Sequence, residues 1–259
     1  CHCKAVRRIV DHRIDLSVPG FSDHEGFRVV PADTEALKDC VCRFRYYVDV
    51  TILKKKHIHA DHSRGAIRDP LDTHGVNYLA INDGRMVGAV RRNKLAEEQA
   101  ASAADVDAAQ LFDRARADRM AITTMPTMLP EYRGTKGAVH LMSAYARHCY
   151  KAGVEVDLIV CDEPSIPFFE RLGYLAHSGW AFHRDSGRVR PMFLAWDAVN
   201  YMHSILSPLS SAAREHVYDD QYGGYDLIRR LANGPTLGST RLAAAQYRRA
   251  IQKHADVQG

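Results

Sequence analysis

The sequence predicts an α/β protein of the α+β kind whose chain ends in a helical extension. Three observations carry that prediction. Two apolar runs, Val76–Ile81 and Met86–Val90, flank an Asp83-Gly84 turn, the strongest short-range signal for an antiparallel hairpin. A strand, a Gly-bearing turn, an amphipathic helix and a second apolar strand then follow between Ala121 and Cys161. From Ala198 onward the pattern turns to helices interrupted by Gly223-Gly224 and Gly234-Pro235.

The elements are justified in chain order. Residues 1–26 are polar and irregular around Pro19-Gly20 and read as an arm, with order expected from Phe27. Phe27–Val30 is a short strand. Asp33 or Thr34 caps a helix whose Leu37, Val41, Phe44 and Val48 share one face. The stretch 49–75 has no clean period, carries Lys54-Lys55-Lys56 and several histidines, and is expected to be a long functional loop. The hairpin follows, and residues 95–110, rich in Ala, Glu and Asp, suit a helix or an excursion from the sheet. Ala121–Leu129 is strand-like, and Pro126 within it demands an edge or a bulge. Ala138–Lys151 is a helix with Leu141, Tyr145 and Cys149 on one face, stopped by Gly153. Val154–Cys161 is a buried strand, Pro164–Leu172 a short helix ended by Gly173, and Tyr174–Ala181 with Val189–Trp196 a last pair of strands. The expected organisation is an arm (1–26), a domain (27–197) and a helical extension (198–259) that covers the site, packs on a second subunit or caps the sheet.

Of 259 residues, 46% are hydrophobic and 25% charged, which excludes a disordered or fibrous chain. No uncharged apolar run approaches the ~20 residues that span a bilayer. Cys1-His2-Cys3-Lys4 has no apolar stretch of the signal-peptide kind, so a cytoplasmic location is the default expectation. Six cysteines without a Cys-x-x-Cys pair form no disulfide framework. The formal charge is +4, with positive clusters at Lys54–Lys56, Arg91-Arg92-Asn93-Lys94 and Arg114–Arg119 that favour an acidic or phosphate-bearing partner.

Two motifs carry chemistry. His57-Ile58-His59-Ala60-Asp61-His62 matches the H-x-H-x-D-H signature of the metallo-β-lactamase superfamily. That fold places an apolar strand before the motif and further ligands after it; here the triple lysine precedes it, and no metal is expected. The second motif, Leu129-Pro130-Glu131-Tyr132-Arg133-Gly134-Thr135-Lys136-Gly137-Ala138, lies between strand and helix. Glycines in such a turn let backbone N–H groups approach a phosphate, the helix N-terminus adds partial positive charge, and Arg133 and Lys136 add cationic donors.

Followed by a helix, a strand and Pro167-Phe168-Phe169-Glu170-Arg171-Leu172-Gly173-Tyr174, this motif resembles the GCN5-related N-acyltransferases. The resemblance spans residue 27 to about 196. It implies a central mixed, mostly antiparallel twisted sheet flanked by helices, and a pyrophosphate or phosphopantetheine loop at Tyr132, Arg133, Gly134, Thr135, Lys136, Gly137 and Ala138. Lys136 stands where the family has its second glycine, and Phe169 where it has a tyrosine. Arg43-Phe44-Arg45-Tyr46-Tyr47, Asp69-Pro70-Leu71-Asp72 and Asp83 through Arg91 are similar to the N-acyl amino acid synthase and acyl-homoserine lactone synthase branch. That likeness implies polar site residues at Arg43 or Arg45, Asp69, Asp72 and Arg91. These carboxylates and arginines either order the loop over the acceptor site, bind the acceptor's ammonium and carboxylate, or, for Asp72 and Arg91, form a buried structural salt-bridge network. Lactone synthases carry a Glu and an Arg on the strand that here reads Ile122-Thr123-Thr124-Met125-Pro126, which favours the amino acid synthase side.

The expected activity is transfer of a medium or long acyl chain from an acyl-phosphopantetheine donor, on acyl carrier protein or coenzyme A, to the amine of an amino acid. Glu131 is the candidate base, with His140 and Asp162 as alternatives. A backbone N–H near Met128 or Leu129 is the candidate oxyanion donor. Met125, Met128, Leu141, Met142, Phe168 and Phe169 are candidates to line the acyl chain. Acyl carrier proteins are acidic, so Lys54–Lys56, Arg91, Arg92, Lys94 and Arg133 are expected to steer docking, with no nucleic-acid partner. The rival readings are an acetyl-CoA-dependent acetyltransferase, an acyl-homoserine lactone synthase, a zinc hydrolase and a non-catalytic docking module.

Overall fold

The computed structural model describes residues 15–95, 119–183 and 187–216, with the single positions 226, 229 and 233. The expected helix or excursion at 95–110, most of the Arg114–Arg119 cluster and most of the extension lie outside the described residues.

The first strand, β1 (Phe27–Pro31), leads into α1 (Glu35–Arg45). Thr34, rather than Asp33, caps α1: its Oγ1 accepts the Leu37 N–H at 3.2 Å. Leu37, Val41, Phe44 and Val48 are buried as their spacing predicts. The helix does not stop at Arg45 but widens into a π-helical stretch, Tyr46–Ile52, and the expected long loop is built up further. It contains the two-stranded pair β2 (Ala60–Asp61) and β3 (Ala66–Ile67), then a 3-10 turn over Pro70–Thr73.

The hairpin β4 (Val76–Asn82) and β5 (Arg85–Lys94) turns on Asp83 and Gly84, at φ 47° and 71°, the two positive values of a type I′ turn. Order extends N-terminal of Phe27, contrary to the sequence expectation. The Val18 N–H donates to the Gly84 carbonyl at 2.8 Å and the Met86 N–H to that of Leu16 at 2.9 Å, burying Leu16 and Val18. The alternation Ile14-Asp15-Leu16-Ser17-Val18 is the sequence signal for this pairing, and it stands alone in an otherwise irregular stretch.

Strand β6 (Met120–Met128) runs antiparallel to β5 and leads through a 3-10 turn (Pro130–Tyr132) into α2 (Lys136–Lys151). Next come β7 (Val156–Cys161), α3 (Ile166–Leu172), β8 (Leu175–Ala176), β9 (Ala181–His183) and β10 (Gly187–Ala195). Gly173, at φ 110°, ends α3 as expected. The single strand expected over Tyr174–Ala181 is instead split into β8 and β9, and both pair with β10.

The main sheet runs β1–β4–β5–β6–β7–β10–β8, and all its described pairings are antiparallel except β6 with β7. The resemblance implied this arrangement. Arg91 reaches Asp72, whereas Arg92, next along the strand, lies beside Tyr145 and Cys149 of α2. Successive strand residues face opposite sides, so α1 and α2 cover opposite faces of the sheet. The helices α4 (Val199–Ser204) and α5 (Ser210–Arg214) close the described chain. Met202, Leu209, Ala212 and Ala213 are completely buried, so this start of the extension belongs to the main core.

Candidate acyl-transfer site

The parallel pairing of β6 and β7 is short. It runs from Met120↔Val156 to Thr123↔Ile159; beyond that β6 pairs only with β5 and β7 only with β10. The strands part at this point because of local backbone geometry. The β5–β6 ladder slips between Ala89 and Arg91, Met125 takes φ 51°, and Pro126 has no N–H to give. The bulge that Pro126 demanded therefore opens a gap in the middle of the sheet.

The peptide edge facing that gap follows from the register. The Leu129 N–H donates to the Val87 carbonyl at 3.0 Å, so the expectation that it serves as oxyanion donor is corrected: it is already engaged. In an antiparallel ladder, bonded and non-bonded pairs alternate. Gly88↔Met128 is thus a non-bonded pair, and the Met128 peptide turns away from β5 toward the gap. Its carbonyl accepts Arg133 Nε at 3.0 Å, which confirms the direction.

The loop at the mouth of the gap is held by short-range bonds. The Tyr132 carbonyl accepts Thr135 Oγ1 at 2.7 Å, and Thr135 Oγ1 accepts the Gly137 N–H at 3.1 Å as the cap of α2. The Asn82 amide donates to the Tyr132 hydroxyl at 3.2 Å, tying the loop to the hairpin. Gly134 sits at φ 67°, where glycine is required. A Cβ at Gly137 would come within 3.1 Å of Phe27 Cε2 and 3.3 Å of Tyr132 Cδ1. Lys136, the departure from the family pattern, is absent from the positive-φ positions, so a side chain is tolerated there. Arg133, Thr135 and Lys136 are exposed, while Ala138 is buried at the first turn of α2.

The D-x-x-D pair and the arginines form one network. Asp72 Oδ1 accepts Arg45 Nη1 at 2.7 Å and Arg91 Nη1 at 2.9 Å, and Asp69 Oδ2 lies 3.4 Å from Arg91 Nη2. Arg91 Nε donates to Thr124 at 2.9 Å, and Arg45 Nη2 to Asn77. Asp69 caps the 3-10 turn and Asp72 accepts the Asp69 N–H at 3.0 Å. The two guanidiniums hold the Asp72 carboxyl down at about 2 against the opposing effect of burial. A Cβ at Gly75 would fall 2.7 Å from Arg91 Cδ, so glycine there lets Arg91 pass. Of the two arginines left open by the sequence, Arg45 is the member. Arg43 is exposed and paired with Asp39, which removes it from the site.

Other expected residues fall as follows. Glu131 is exposed on the 3-10 turn, His140 is exposed beside Phe27, and Asp162 accepts Ser165 Oγ. Met128 and Phe169 are buried. Phe169 stacks edge-on with Phe168 and Tyr174 at 5.2 and 5.5 Å, which makes it part of the core behind the gap. Arg91 is buried and engaged, so it leaves the expected docking set. Lys54–Lys56 and Lys94 are exposed, and Arg92 is partly buried. In the histidine motif, Asp61 accepts the Ser63 and Arg64 N–H groups and His62 Nδ1 bonds Tyr46 at 2.9 Å. Among the described residues, no three His, Cys, Asp or Glu side chains gather in a way that fits a metal ion.

Sequence reasoning missed two carboxylates. Asp157, buried at the root of the gap, accepts Thr123 and Tyr174 hydroxyls at 2.6 Å each, and burial pushes it up to about 7. Asp49, in the π-helical stretch, is raised by burial, with Lys55, His57, Arg133 and Arg45 opposing. Asp49 escaped because the α-helical spacing that sets Val41 and Arg45 inward gives way to a π-turn from Tyr46.

A mixed sheet parted at its one parallel pair, with a Gly-bearing loop and helix N-terminus at the mouth, is the fold of the GCN5-related acyltransferases. No family model matches the sequence, and no curated protein does. Solved structures share the fold. BjaI, a CoA-dependent acyl-homoserine lactone synthase solved with MTA, is 16% identical and matches over 73% of this chain and 97% of its own, at TM-score 0.51. TofI, solved in a ternary complex with an inhibitor and MTA, is 16% identical over 72% of this chain and 99% of its own, at TM-score 0.52. FeeM, an N-acyl amino acid synthase from uncultured soil microbes, is 11% identical over 74% of this chain and 94% of its own, at TM-score 0.50.

Proposed function

We propose that the protein is an N-acyltransferase that moves a medium or long acyl chain from a phosphopantetheine thioester, carried by acyl carrier protein, to the amine of an amino acid. The observation that carries this reading is the gap between β6 and β7, with the Met128 peptide turned into it and Arg133 anchored at its edge. A thioester arm entering the gap meets a backbone N–H at the point where charge develops on the carbonyl oxygen. The amine nitrogen bonds to the carbonyl carbon, the C–S bond breaks, and a thiolate of pKa ~8.5 departs without needing a dedicated acid. That removes the need for the tyrosine that Phe169 replaces.

Tyr132 through Ala138 hold the phosphate end of the arm, with Arg133 and Lys136 as cationic donors. The exposed Lys54, Lys55 and Lys56 support a carrier protein over free coenzyme A as the donor. Asp69, Asp72, Arg45 and Arg91 order the loop over the acceptor side instead of contacting the acceptor, because both arginines are fully buried and the Nη atoms of Arg45, with Nε and Nη1 of Arg91, are taken by Asp72, Asn77 and Thr124. FeeM, sharing the fold, supports the amino acid acceptor.

The test is mass spectrometry of lipid extracts from cells expressing the protein beside an Arg133→Ala/Gly137→Asp control. New N-acyl amino acids, absent from the control, are expected. Folded protein with no acylated amine would overturn the reading.

A further inference from the structure

We propose that Asp49 is the general base of this site, the carboxylate that takes a proton from the acceptor amine; the assignment rests on the acyl-transfer reading above. Its place in the fold is the reason. Asp49 belongs to the π-helical stretch Tyr46–Ile52, which packs against β6. A π-turn carries one residue more than an α-turn and redirects the side chains that follow, a device concentrated at functional sites. The Asp49 carbonyl is fixed by the Lys55 N–H at 2.8 Å. The carboxylate lies within electrostatic reach of Arg133, the residue bonded to the Met128 carbonyl, and its π-helical stretch packs on the strand that carries that peptide. The rivals are otherwise placed: from Met120 to Met128 the strand carries no ionisable side chain, Glu131 is exposed, and both oxygens of the fully buried Asp157 are taken by the hydroxyls of Thr123, Tyr145 and Tyr174.

The chemistry balances. An amino acid arrives as an ammonium, which cannot attack. The Asp49 carboxylate accepts one proton and frees the nitrogen lone pair. C–N bond formation and C–S cleavage follow, the second amine proton passes to the departing thiolate, and Asp49 releases its proton to solvent. The charged groups that act on Asp49 are Lys55, His57, Arg133 and Arg45. They favour the carboxylate, while burial raises it toward the range in which a base is effective.

The test uses the full chain with decanoyl-coenzyme A or decanoyl-loaded carrier protein and a mixture of the twenty amino acids, with amide followed by mass spectrometry. Asp49→Asn is expected to lower amide formation at about pH 7 by ~10²-fold or more. The loss should shrink toward pH ~9.5, where the free amine prevails without a base. Asp49→Ala is expected to regain activity with added formate. Circular dichroism identifies any variant that fails to fold, and formate rescue then decides. A folded Asn variant with a loss equal at both pH values, together with no rescue, would overturn the assignment, as would an unimpaired Asn variant. Wild-type protein that forms no amide from either donor overturns this assignment and the proposed function together; active wild type beside an equally active Asp49→Asn overturns the assignment of Asp49 alone.

Discussion

A single oxygen, Asp72 Oδ1, accepts from both Arg45 and Arg91, whose side chains are 0% and 1% exposed. Removing that charge leaves the buried Arg45 without a carboxylate and Arg91 with Asp69 alone, so Asp72→Asn is expected to cost ~3 kcal/mol, read from the denaturant midpoint. Asp72 also sets a pH limit. Its folded pKa, about 2, lies below the unfolded value near 3.8, so its contribution is present above ~4 and fades as pH falls through 2. Asp157 has the opposite sign. Its folded pKa of about 7 exceeds the unfolded value, so the folded state is penalised progressively as pH rises from ~4 to ~7, by an order of 4 kcal/mol in all. Asp157→Asn, which keeps an acceptor for Tyr174, should flatten this part of the stability profile relative to wild type; an unchanged slope in thermal unfolding across that range would refute it.

Among the elements, the loop before α2 gives the sharpest expectations. Thr135→Ala removes the cap and should cost ~1 kcal/mol in thermal unfolding. Arg133→Ala should raise the KM for the acyl donor by ~10-fold and leave that for the amine unchanged, and equal donor kinetics in steady-state assays would count against the loop's role. Much of this element structure is legible in sequence where the signal is local. Asp83-Gly84 fixed the hairpin, Gly173 the end of α3, and Pro126 the bulge that opens the gap. The stripe of Val41, Arg45 and Val48 even separates Arg45 from Arg43, because three-to-four spacing puts the first inward and the second outward. What escaped depends on geometry without a sequence period: a π-turn differs from an α-turn by one residue, and the bonding of the Leu129 N–H is settled by register.

On the scale of the whole molecule, the first part of the extension is structural. Tyr150 stacks on His216 at 5.1 Å, Arg147 pairs with Glu215 at 2.8 Å, and Ser207 Oγ donates to the Leu172 carbonyl at 2.7 Å. Ending the chain after Asp197 would expose the core that Met202, Leu209 and Ala212 cover. Such a truncation is expected to lose cooperative unfolding, whereas Arg147→Ala should change stability by no more than ~1 kcal/mol. The β6–β7 pairing has a mechanical meaning as well. Four residue pairs, Met120↔Val156 to Thr123↔Ile159, are the seam between a β1–β4–β5–β6 half-sheet and a β7–β10–β8 half-sheet. A load applied across the strands would concentrate on that seam, and a wedge entering the gap would pry on it as on a hinge. The amides of these pairs are therefore the gauge on which a guest in the gap should register, as a change in their exchange with deuterium.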